Sequence, residues 1–84
     1  MTTPNELIEV VTTTESQADA RRIADALIKY RLAACVQIDG PVTSVYRWDG
    51  DIESATEWRL TAKCRRERFT DVETVINDLH PYDV

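Results

Sequence analysis

With 10 lysines and arginines against 15 aspartates and glutamates, the 84-residue chain lacks the cationic surplus that phosphate contacts require. Its net charge of −5 therefore argues against nucleic acid as a partner. The basic run Lys63-Cys64-Arg65-Arg66-Glu67-Arg68 is the local exception and reads as a solvated strand end. Two glycines and three prolines leave little punctuation for long loops. No apolar run approaches the roughly 20 residues that span a bilayer, so no membrane partner is expected. Met1 to Glu6 has no basic leader region and no apolar stretch follows it, which argues against a secretory signal. Two cysteines are also few for a stapled secreted domain, and together these absences point to a reducing, cytoplasmic setting.

What is present is ordinary globular composition, with 43% hydrophobic and 30% charged residues. A chain of this length supports one core, so residues 1–84 are expected to form a single domain of marginal stability on its own.

Glu6 to Thr12 is short and β-branched, with Ile8 and Val10 on one face and Leu7 and Val11 on the other, the pattern of a central strand. Thr14 or Ser16 can cap a helix, since Gln17 and Asp19 stand three residues on. Ala20, Ile23, Ala24, Leu27 and Ile28 then recur at helical spacing. From Leu32 to Ile38 the period becomes two, which predicts a strand with Ala34, Val36 and Ile38 on one face. Asp39-Gly40-Pro41 is either a turn or a bulge within one long bent strand. Asp49-Gly50 suits a type I′ hairpin turn. The returning strand, from about Ile52 to Cys64, sets Thr56, Trp58, Leu60, Ala62 and Cys64 against Glu57, Arg59, Thr61 and Lys63. Phe69, Val72, Val75, Ile76 and Leu79 form a second helical stripe that His80-Pro81 ends. The order β-α-β-β-α is the start of an α+β split β-α-β fold, an antiparallel sheet with two helices on one face and the final strand missing from this chain.

Four ordered segments then carry a resemblance. Leu32-Ala33-Ala34-Cys35-Val36, Thr43-Ser44-Val45-Tyr46-Arg47-Trp48-Asp49-Gly50, Glu57 with Lys63, and His80-Pro81-Tyr82-Asp83-Val84 resemble the CutA family in sequence and spacing. The resemblance implies a ferredoxin-like fold, a homotrimer similar to the PII signalling proteins, and a role in tolerance of divalent cations, copper above all. It also implies that Asp39-Gly40-Pro41 is a kink in one strand whose outer half reaches a neighbouring subunit. Gln37, Asp51 and Asp83 depart from the asparagine, lysine and glutamate common in the family. Where some members are thought to hold copper, this chain has Thr12, Leu79 and His80, so one ligand of three is kept.

Cys35 is a soft metal ligand by chemistry, but its apolar neighbours favour a buried structural thiol; Cys64, beside Leu60 and Ala62 on one strand face, is structural. His80, the single histidine, with Tyr82 and Asp83 gathers imidazole, phenol and carboxylate within four residues. The expected metal donors are His80 and Cys35. Three or four ligands would need recruitment across a subunit boundary, with Glu57 and Asp83 as further donors. Glu57 and Lys63 share a strand face but stand roughly 20 Å apart. By resemblance they line an intersubunit cleft with Cys35, Tyr82 and Asp83. Trp48 and Trp58, read as flanking the hairpin at cross-strand reach, are expected with Tyr46 in the trimer contact.

The function expected is a non-catalytic homotrimer that binds copper(II), another divalent cation or a small ligand, with no organic cofactor, and signals to an unidentified protein partner. A structural or anchoring trimer is the alternative. An acylphosphatase-like hydrolase using Arg21 or Arg22 fits poorly, because Thr12 to Ser16 lacks a glycine-rich anion loop.

Overall fold

A computed structural model describes residues 6–80 of the chain. Strand β1 (Leu7–Thr14), helix α1 (Gln17–Lys29), strands β2 (Cys35–Trp48) and β3 (Asp51–Arg65), a 3₁₀ turn (Arg66–Arg68) and helix α2 (Phe69–Leu79) follow in order. The expected β-α-β-β-α succession is thus present. The sheet order is β1-β3-β2, antiparallel throughout. Among the described residues β3 is the middle strand, flanked by β1 on one side and β2 on the other.

Register explains where the core forms. Val10, Ala62 and Val36 align across the three strands, as do Thr12, Leu60 and Ile38. This face receives Ala20, Ile23, Ala24 and Leu27 of α1 and Val72 and Ile76 of α2, making one apolar cluster with both helices on the same side. Phe69, expected in the stripe of α2, is instead exposed at its first residue. Among the described residues no helix is long and apolar enough to cross a membrane.

Helix α1 starts where Ser16 Oγ accepts the Asp19 amide at 3.1 Å. Thr14, the other candidate cap, is fully buried and donates its hydroxyl to the Ser16 carbonyl at 2.7 Å, so it shapes the turn into the helix. The far end closes as a Schellman motif: Leu32 N donates to Leu27 O and Arg31 N to Ile28 O. Arg31 occupies the left-handed position at φ 58°, where glycine is usual. This closure uses Leu32 and Ala33, which is why β2 begins at Cys35 and not at Leu32.

Asp39-Gly40-Pro41 proves to be a bulge. Asp39 pairs with Arg59 and Val42 with Glu57, so β2 continues through it as one strand. Asp49 and Gly50 have φ of 51° and 85°, as the type I′ hairpin requires. Residues 45–54 form an arm beyond the core in which every side chain is exposed.

Candidate functional site

Alternation along β2 turns Val36 toward the helices and Cys35 toward the opposite face. Cys35, expected to be buried, is consequently an exposed free thiol. It stands opposite Lys63 of β3, which in turn faces Glu9 of β1, so thiol, ammonium and carboxylate share one row on the helix-free face. Cys64 points the other way into the core, where burial pushes its thiol pKa up. Opposite faces keep the two sulfurs unbridged, and both cysteines are free.

Glu57 pairs with Val42 beyond the bulge and Lys63 with Cys35, which puts them on one face roughly 20 Å apart along β3. Between them lies a pair that reasoning from sequence passed over: Arg59 grips Asp39 by two bonds, Nε to Oδ1 at 3.1 Å and Nη2 to Oδ2 at 2.5 Å. The guanidinium's hydrogen bonds hold the Asp39 carboxyl below its ordinary pKa. The pairing could be found only by knowing how the bulge offsets the register.

His80 ends α2, its N–H bonded to Ile76 O at 2.8 Å. Its ring Nε2 lies 2.6 Å from Thr13 O. A carbonyl only accepts, so the proton of that bond resides on Nε2 and that nitrogen has no lone pair to offer a metal while the bond stands. Thr13 pairs with Arg59, whereas Cys35 pairs with Lys63 four residues further along β3, roughly 13 Å away. The two expected metal donors therefore do not meet within one chain. Among the described residues no three His, Cys, Asp or Glu side chains are gathered closely enough to hold a metal ion. Tyr82 and Asp83 lie outside the described residues.

The aromatic residues divide between arm and body. Trp48 pairs with Asp51 at the turn and is 68% exposed, with Tyr46, Val45 and Ile52 also exposed on the arm. Trp58 pairs with Thr14 and packs against the core. The two tryptophans are thus not at cross-strand reach: Trp58 follows Asp51 by seven residues, roughly 23 Å along β3.

The model of the CutA1 divalent ion tolerance protein family matches residues 8–84. The divalent-cation tolerance protein CutA of Thermus thermophilus is 41% identical over 75 residues, which cover 89% of this chain and 73% of that protein. The solved structure of a divalent cation tolerance protein from Thermus thermophilus superposes with a TM-score of 0.90 at 39% identity, covering 94% of this chain and 77% of the other. The periplasmic divalent cation tolerance protein CutA of Archaeoglobus fulgidus gives a TM-score of 0.89 at 37% identity over 94% and 76%. Matches of sequence and of fold coincide over nearly all of the chain, which belongs to the CutA1 divalent ion tolerance protein family.

Proposed function

We propose that three copies of this chain assemble through their hairpin arms into a non-catalytic trimer that responds to a divalent cation, copper(II) first, or to a small ligand held between subunits. The observation that carries this reading is the arm itself. Val45, Tyr46, Trp48 and Ile52 project beyond the core with exposures of 68, 45, 68 and 72%. Apolar area left in water forgoes about 25 cal/mol per Å² relative to burial, so this arm favours association.

The cleft follows from the same assembly. Cys35, Glu57, Lys63, Tyr82 and Asp83 are the residues assigned to it, with His80 and Cys35 as metal donors contributed by different copies, His80 giving up its bond to the Thr13 carbonyl if Nε2 is to bind the metal. Bridging by the ligand would favour one arrangement of the arms and alter what the trimer offers to a partner protein. The exposed, unbridged Cys35 thiol suits a reducing, cytoplasmic environment.

Light scattering should give roughly three times the 9.6 kDa chain mass. Calorimetric titration should then show heat with copper(II) that falls in Cys35→Ser and His80→Ala. A single-chain mass in dilute solution would end the trimer reading. A trimer that gives no heat with copper(II), zinc or manganese would leave an anchoring role in its place.

A further inference from the structure

Strand β1 pairs with β3 as far as Thr14, opposite Trp58, and beyond that rung residues 42–57 run on as a two-stranded ribbon. The bulge lies at this junction: Gly40 and Pro41 together stand opposite Trp58, two residues against one. The direction of the arm is therefore set at one rung and one bulge, because the ribbon lacks the third strand that braces the body.

Two neighbouring residues of β3 hold that junction from opposite faces. On the helix side the Trp58 ring packs against the core and fills the place left by the missing side chain of Gly40, its Cε3 2.8 Å from a Cβ built there. On the helix-free side Arg59 grips Asp39, the last β2 residue before the bulge, through Nε and Nη2 at 3.1 and 2.5 Å. These two holds differ in kind. The ring is anchored in the apolar cluster, whereas the side chains of the ion pair are 49% and 52% exposed, so the pair opens at small cost.

We propose that the bulge is the joint of the hairpin arm and that the Asp39–Arg59 pair is its lock. Closed, the pair holds Asp39 on its β3 rung and leaves the ribbon one direction. Open, the backbone of residues 39–42 is held on the Trp58 side alone, and the arm swings about that ring. The part the lock plays in assembly rests on the trimer reading above: three arms that already point one way lose less freedom when they meet. The swing itself belongs to a single chain and holds whether or not arms associate.

Spin labels at Arg21→Cys on α1 and Ser54→Cys on the arm, in a Cys35→Ser background, read the arm's direction as a distance distribution. Labelled chains are diluted into unlabelled protein so that distances within one chain are seen, and Trp48→Ser removes the apolar contact at the tip so that the arm is read free of neighbours. The distribution is expected to be narrow with the pair intact and about twice as wide in Arg59→Ala and in the milder Asp39→Asn. Exchanging the partners, Asp39→Arg with Arg59→Asp, should narrow it again. With Trp48 and Cys35 in place, the concentration at which the assembly comes apart on dilution should rise about threefold in Asp39→Asn. An unchanged width in both single variants overturns the proposal, as does a folded exchange variant whose arm stays as loose as theirs. A chain that never assembles refutes the trimer reading instead and leaves the widths to decide on the joint.

Discussion

Trp58 and Gly40 are in contact across the bulge: a Cβ built on Gly40 would stand 2.8 Å from Trp58 Cε3 and 3.2 Å from the Glu57 carbonyl oxygen. The ring can occupy that place only because the bulged strand carries no side chain there, at a φ of 156° that side chains rarely adopt. Gly40→Ala should therefore lower stability by about 1–3 kcal/mol, read as a reduced urea midpoint. In a Trp58→Leu background the same change should cost less, and an unchanged midpoint in both backgrounds would disprove the contact's importance.

Arg31 holds a left-handed conformation that its Cβ resists. Arg31→Gly should stabilise the protein by about 0.5–1 kcal/mol while leaving the Schellman bonds of Leu32 and Arg31 in place. Thermal unfolding of the two proteins at equal concentration checks this; a lower melting temperature for the glycine variant contradicts it.

The bond from His80 to Thr13 ties the end of α2 to the end of β1. Removing the donor in His80→Ala should cost about 0.5–1.5 kcal/mol, and His80→Gln, which keeps a side-chain N–H, should recover part of the loss. Hydrogen exchange localises the effect: the last turn of α2 should open faster in the alanine variant.

Two groups give stability an acid and an alkaline limb. Asp39 is held below its usual 3.8 chiefly by the hydrogen bond from Arg59, so its contribution is present above the unfolded value and lost as pH falls through the folded one. Cys64 is raised above its usual 9.0 by burial, so its contribution is present below that value and lost as pH rises through the folded one. Both Asp39 and Arg59 are about half exposed, which screens their pair and makes the acid limb shallow. Arg59→Ala should flatten the acid limb and Cys64→Ala the alkaline limb in urea midpoints measured across pH. Limbs that survive these changes must arise elsewhere.

The period of the residue pattern made most of the fold legible. Alternation in Leu60, Ala62 and Cys64 and helical spacing in Ile23, Ala24 and Leu27 each have one burial solution, and the core uses it. Asp49-Gly50 fixed the turn because few residue pairs accept its backbone. Asp39-Gly40-Pro41 was open between turn and bulge, since that choice depends on whether Asp39 and Val42 both find partners on β3. The same offset hides the Asp39–Arg59 pair, whereas the separation of Trp48 from Trp58 follows from the hairpin register, which pairs Trp48 with Asp51. Cys35 is misleading in sequence because adjacent Val36 lies on the other face of the strand, and adjacency along a strand is opposition in space. Arg31 gave no signal, because a left-handed arginine is chosen by the closure around it and not by its own preference.

The division of the two tryptophans between arm and body supplies the molecule with separate optical reporters. Trp58, packed on the core, should change emission when the chain unfolds, whereas Trp48, out on the arm, should change when arms are buried or released. Dilution and denaturation would then move different parts of the spectrum, so dissociation and loss of the fold can be timed independently on the unlabelled protein.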